Sequence, residues 1–272
     1  MHHGVALFAT DLTSDVRDVA REAEEVGFES LFVAEHTHIP TSRATPYPMG
    51  GELPDEYART LDPFIALTAA AAVTERLRLG TGVCLVVERD PIVLAKEVAS
   101  LDVISGGRVL LGVGAGWNAE ELAHHGVAFA DRWEVLHDRV QLMQALWSQD
   151  IASYDGKHAR LEPSWQWPKP VQPNLPVLVG GGGKRAMQHA VDYSGGWMPM
   201  PSKVKLADRL QQLKEVADAA GKPVPPVTLY LVRPEREVVA HYADMGVERV
   251  VFLLPTRGDA VVAVRDLAGK VL

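Results

Sequence analysis

Residues 176–193 read PVLVGGGGKRAMQHAVDY. Val177–Val179 is a short, continuously apolar run, the pattern of a parallel strand buried on both faces. Four glycines follow, Gly180 to Gly183, and Lys184–Tyr193 then carries a helical pattern. A strand and a helix joined by a glycine turn form one β/α unit, and the rest of the chain repeats that unit.

On the N-terminal side the strands are expected at Val5–Thr10, Leu31–Glu35, Leu77–Val87 and Val109–Val113. On the C-terminal side they are expected at Trp197–Met200, Val227–Val232 and Val250–Leu254. Helices fill the intervals. Asp15–Val26 starts at Ser14 as N-cap and stops at Gly27. Asp62-Pro63 and Asp90-Pro91 each pair a cap with a first-turn proline, and Gly106-Gly107 ends the second of these helices. Asp131–Ser148 shows one apolar face through Trp133, Leu136, Val140, Met143 and Trp147. Leu206–Ala220, Glu235–Met245 and Asp259–Leu272 complete the series. Eight such units predict a (β/α)₈ TIM barrel, with residues 1–272 as one domain; a doubly wound open sheet is the rival arrangement. The polar stretches 37–60 and 154–176 read as barrel loops.

The chain has 272 residues, 47% hydrophobic and 23% charged, an ordinary globular composition. Its net charge of −8 gives no electrostatic reason to coat nucleic acid or an anionic membrane. No uncharged apolar run reaches the ~18 residues of a membrane span, and the first residues lack a signal-peptide pattern. The single cysteine, Cys84, fits a reducing compartment and reads as a buried small residue. A cytoplasmic protein is expected, with neither nucleic acid nor a membrane as partner.

In a barrel of this kind the site lies at the C-terminal strand ends. The glycine run there can close its backbone N–H groups on an anion, with Lys184 and Arg185 adding charge, so a phosphate is the natural guest; a flexible turn is the alternative. It is not a Walker loop, because position 178 is Leu and no Ser or Thr follows Lys184. Gly112, Gly114 and Gly116 miss the dinucleotide fingerprint, since position 117 is Trp. His36-Thr37-His38 could begin a zinc site, but the other strand ends supply no further ligands, so no metal is expected. His36, at a strand terminus, is placed to donate or accept a proton. Glu35 could bind polar parts of a substrate, although consecutive strand residues point to opposite faces. His124 and His125 read as surface.

The chain resembles the luciferase-like monooxygenase superfamily, and within it the branch that uses the deazaflavin coenzyme F420. The stretches that carry the likeness are Glu25–His36, Arg78–Val83, Leu94–Glu97 with Ser105–Arg108, Gly112–Trp117, and Pro176–Gly181 with Gly196-Trp197. The resemblance runs from Val5 to about Pro199. It implies that His36 is catalytic beside the reactive ring, and that Gly82-Val83 forms a non-prolyl cis peptide in a bulge backing the ring. Gly114, Ala115, Gly116 and Trp117 would line the cofactor edge. Gly181, Gly182, Gly183, Lys184 and Arg185 would hold its phosphate. Arg43, Tyr47 and Tyr57, in the 37–60 loop, would cover the substrate. One departure is Gly195, where relatives carry an aspartate. F420 implies hydride transfer; flavin mononucleotide, FMN, with oxygen chemistry and a separate reductase, is the alternative. A cofactor-binding barrel without activity and a metal hydrolase are two further readings. A homodimer is also implied.

Overall fold

The computed structural model describes residues 1–272. Eight parallel strands form its sheet: β1 (His2–Leu7), β2 (Ser30–Val33), β3 (Arg78–Thr81), β4 (Val109–Val113), β7 (Val177–Gly180), β8 (Gly196–Met198), β9 (Thr228–Tyr230) and β10 (Arg249–Leu253). A separate antiparallel hairpin, β5 (Ala152–Asp155) and β6 (Arg160–Ser164), stands apart from them. The sheet runs β8-β7-β4-β3-β2-β1-β10-β9. A single parallel bridge between Trp197 and Val227, with the Trp197 N–H donating to Pro226, joins its two ends and closes the barrel. The open-sheet alternative is therefore set aside.

Helices α1 (Val16–Val26), α2 (Pro63–Ala71), α3 (Pro91–Ser105), α4 (Ala119–His124), α5 (Arg132–Ser148), α6 (Lys184–Asp192), α7 (Leu206–Ala220), α8 (Arg236–Asp244) and α9 (Ala260–Val271) surround it. The cap-and-proline starts hold: Asp62 accepts from Phe64 and Ile65, and Asp90 from Ile92 and Val93. Gly27 and Gly106 end their helices in left-handed conformations, as a residue without Cβ does at little cost. The cap of α1 is Asp15 rather than Ser14, whose hydroxyl instead accepts from Ala260 at the start of α9.

Several segments differ from the sequence expectation: the first strand runs His2–Leu7 rather than Val5–Thr10, and the 37–60 stretch holds a 3₁₀ turn at Asp55–Ala58. The third strand stops at Thr81, and the chain then bulges into a short 3₁₀ helix, Val86–Glu88. Helix α4, capped by Asn118, was not anticipated. Neither was the hairpin, which occupies part of the 154–176 stretch read as loop.

Two layers of core hold the barrel. The larger lies between strands and helices. The smaller fills the interior with Ala6, Phe32, Leu110, Leu178, Met198, Tyr230 and Val251, one from each strand except β3. β3 contributes Gly80, and a Cβ there would collide with the Phe32 ring.

Candidate active site

The bulge after β3 shapes the barrel mouth. The Gly82–Val83 peptide is cis. Val83 projects between neighbouring strand ends: its methyl groups would lie 2.6 Å from a Cβ on Gly114 and 3.0 Å from one on Gly180. Glycine at both positions lets β4 and β7 approach it. Tyr230, buried in the interior, brings its hydroxyl against Gly82, so this backbone is packed from below.

His36 follows β2, and its side chain is 7% exposed. Its backbone is held by Thr60, which donates its hydroxyl to the His36 carbonyl at 2.9 Å and accepts the His36 N–H at 3.1 Å. The Nδ1 atom faces both carboxylate oxygens of Glu121, at 2.9 and 3.1 Å. Glu121 is 1% exposed and stands in the first turns of α4. On the other side of the ring, the Trp117 indole N–H donates to Nε2 at 3.3 Å. A carboxylate on one nitrogen and a donor on the other select the tautomer with its proton on Nδ1. Nε2 then carries the lone pair.

Aromatic rings crowd this imidazole. Tyr57 and Trp117 lie 5.2 and 5.8 Å from it by ring centroid. Tyr47 shares a 3.1 Å hydroxyl contact with Tyr57, whose phenol is pushed well above its usual range by burial and then by this contact. Arg43 sits 6.0 Å over the Trp117 ring in a left-handed backbone conformation, and its Nη1 is buried without a partner. The fold therefore gathers His36, Arg43, Tyr47, Tyr57 and Trp117. It ties the 37–60 loop to α4 by two more bonds, Thr45 N–H to Glu120 at 2.8 Å and Ala119 N–H to the Thr45 hydroxyl at 3.2 Å.

Glu35 does not join this group, which corrects the expectation that it meets substrate. One residue before His36, it points the other way. Its carboxylate accepts the Leu85 N–H at 2.7 Å and Arg89 Nε at 2.6 Å, and Arg89 also pairs with Asp62. This cluster, buried at Glu35 and exposed at Asp62, fastens the end of β2 to the segment after the bulge. Cys84, fully buried beside it, has its thiol pushed up by burial and stays a packing residue.

The glycine loop after β7 divides its neighbours. Gly181 and Gly182 border a hollow of about 410 Å³ with Met200, Ser202 and Arg209. Lys184 and Arg185 instead line a groove on the far side of α6. The reason is helical geometry: at a helix N-terminus the backbone N–H groups face the loop while side chains splay from the axis. The cation that reaches the loop is Arg209 from α7, which sequence reasoning missed. It is 4% exposed, stacks 4.8 Å from the Trp197 ring, and donates to the Met200 carbonyl at 3.0 Å. Its Nη2 would lie 2.6 Å from a Cβ on Gly182. No carboxylate pairs with it, and burial alone lowers its pKa. A buried guanidinium without a counter-charge, beside an uncapped helix N-terminus, is an anion site by electrostatics.

Glu121 was likewise missed. The Asn118 cap with two acidic residues in the next turn is a helix-start signal, but only the fold brings that turn across 85 positions to His36. His124 is exposed, as expected, and His125 is half-buried; both have polar neighbours. His38 Nε2 lies 2.8 Å from His124 Nδ1, and Thr37 Oγ1 lies 2.9 Å from His125 Nε2.

Comparison with known proteins agrees with this architecture. The profile of the luciferase-like monooxygenase family matches residues 2–245. An uncharacterised protein of Mycobacterium tuberculosis is 44% identical over 99% of this chain and 98% of its own length. An F420-dependent glucose-6-phosphate dehydrogenase of Amycolatopsis mediterranei is 31% identical over 77% of this chain and 61% of its own. Among solved structures, a monooxygenase from Streptomyces bottropensis superimposes with a TM-score of 0.79 at 21% identity, covering 99% of this chain and 98% of that one. The profile match over residues 2–245 shows that the chain belongs to the luciferase-like monooxygenase family.

Proposed function

We propose that this chain is an F420-dependent oxidoreductase that moves a hydride between the deazaflavin and a small organic substrate. The observation that carries the reading is the His36–Glu121 pair, a proton-handling group that follows β2, on a barrel whose glycine loop after β7 meets the unpaired Arg209. The residues fit the cofactor. Arg209 and the N–H groups at the start of α6 match a phosphodiester, and the Gly82-Val83 bulge with Gly114, Ala115, Gly116 and Trp117 offers a wall for a flat ring. The similarity to an F420-dependent dehydrogenase supports F420 over FMN. When bound, the deazaflavin supplies the hydride acceptor or donor and reacts poorly with oxygen.

The rest is work for the protein. Once the long Trp117 N–H contact gives way to substrate, Nε2 of His36 takes the proton of a substrate hydroxyl as its carbon gives up hydride, or returns one in the reverse direction. Glu121 stabilises the imidazolium so formed and holds the ring in place, since both its oxygens face Nδ1. Trp117 and Tyr57 shield the imidazole from water. Arg43, with Nη1 unpartnered, is set to bind an acceptor atom of the substrate.

The test is a fluorescence titration of the purified protein. F420 should bind at least ~10-fold tighter than FMN. Arg209→Met, which keeps the apolar stem over Trp197, should weaken F420 binding by ~1–3 kcal/mol, as loss of a charge-assisted bond does. Lys184→Ala and Arg185→Ala should change it by less than ~3-fold, since exposed charges contribute little. FMN binding as tight as F420 rules the cofactor assignment out, and an Arg209→Met protein with undiminished affinity removes the phosphate role.

A further inference from the structure

On the outer wall of the barrel, a groove of about 1000 Å³ runs between α5, α6 and α7. Two imidazoles meet along it. His137 comes from α5 and His189 from α6, with ring centroids 5.2 Å apart. Nδ1 of each ring is shielded from solvent and has no hydrogen-bond partner. Polar groups in such positions ordinarily find partners, so both rings have coordinating capacity left over. Asp192 lies three residues beyond His189 on the same helix face, and its carboxylate touches only the partly exposed Lys222, at 3.5 Å. One donor atom from each of the three lies within 4.8 Å of the other two.

Two imidazoles and one carboxylate are the donors of a zinc-class ion; magnesium or calcium would call for oxygen ligands throughout. Zinc bonds of ~2.0–2.1 Å place ligand atoms ~3.3 Å apart in a tetrahedron. The donors must therefore draw in somewhat from their present spacing. Asp192 can supply its share by a change of rotamer, because it is exposed, and the two imidazoles, stacked at 28° to one another, must turn their nitrogens toward the ion. The fourth position opens on the groove, where water can fill it.

We propose that His137, His189 and Asp192 bind one divalent transition-metal ion of the zinc class, which clamps α5 to α6. The site is separate from the strand-end histidines and independent of the cofactor reading. Its surroundings give the clamp a mechanical consequence. Trp133 stacks on His189 at 5.6 Å, and its indole edge would lie 3.6 Å from a Cβ on Gly181. A metal at this point therefore stiffens the support behind the glycine loop.

The experiment starts from the full-length protein freed of metal with a chelator, titrated with zinc against a chromophoric competitor. One equivalent should bind with micromolar or tighter affinity and raise Tm as zinc increases. His137→Ala and His189→Ala should each weaken that binding at least ~10-fold, as should Asp192→Asn, whose exposed position leaves folding undisturbed. His38→Ala, at the other histidine cluster, should bind zinc as the parent does. Copper quenching of tryptophan fluorescence gives a second reading, and Trp133→Phe should remove most of it. Absence of a zinc equivalent, or one bound equally well by the His137→Ala/His189→Ala double variant, overturns the site.

Discussion

At His36, two neighbours decide which nitrogen holds the proton. Glu121 takes the Nδ1 side and Trp117 donates to Nε2. His36→Ala should leave F420 affinity within a few-fold and lower turnover by ~10²–10⁴, the range for losing a general acid or base. Glu121→Gln keeps the shape but withdraws the charge behind the imidazolium, so a smaller loss of ~10–10² in kcat is expected, with KM little changed. Turnover is read from F420 absorbance against a panel of alcohols, aldehydes and phosphorylated sugars. A Glu121→Gln enzyme as fast as the parent would show that Glu121 only packs. His36 was legible because a histidine at a strand end is conspicuous. Glu121 and Arg209 were not, because their roles arise from contacts across the fold, with a ring 85 positions away and with a glycine loop on another unit.

The segment Val86–Glu88 follows the bulge, and it buries a carboxylate whose paired basic group is the His125 imidazole, at 3.8 Å. Glu88 is 8% exposed; Oε2 accepts from the Thr37 hydroxyl at 3.2 Å, and Oε1 has no partner. Burial pushes its pKa up to about 8, and the carboxylates of Glu121 and Glu35 add to the effect. A pKa raised on folding favours the protonated form. Its contribution is thus fully present below the unfolded value of ~4.5 and is lost as pH rises through about 8. Glu88→Gln removes that titration. Urea unfolding should show the variant gaining on the parent by a few kcal/mol between pH ~5 and pH ~8.5. Parallel pH profiles would place Glu88 in a wetter setting than the one described. Segments like this one escape sequence reading because apolar residues recur from Leu77 to Val87 on both sides of the glycines. Only packing shows that the strand ends at Thr81. Helix α4 is too short for periodicity to reveal, and the hairpin lies where prolines and tryptophans suggest a loop. The Asp-Pro helix starts were readable because their signal is local.

Across the molecule, the alternation of strand and helix was enough to give eight units, but not to say whether the sheet closes. That depends on one bridge between the third-last and second-last strands, and a bridge has no sequence pattern. The outer wall also carries apolar residues that folding leaves uncovered. Ile65 on α2 is 73% exposed, and Ile92, Val93 and Ile104 on the adjacent α3 are 40%, 55% and 60% exposed. These exposed apolar groups along two neighbouring helices motivate the proposal that the chain forms a homodimer through this face. Light scattering at micromolar concentration is expected to give twice the chain mass, and Ile65→Asp/Ile104→Asp to give the monomer. A parent protein that scatters as a monomer counts against the dimer.

The 37–60 loop is fastened to the barrel by a few polar stitches, Thr60 to His36 and Thr45 to Ala119 and Glu120. Most of its side chains take no part in the core. Arg209 and the glycine loop belong to a different sector, held by Trp197 and α7. The loop that faces His36 and the loop that faces Arg209 are thus fixed independently, so substitutions within 37–60 can reshape what the imidazole meets while the arginine sector keeps its form.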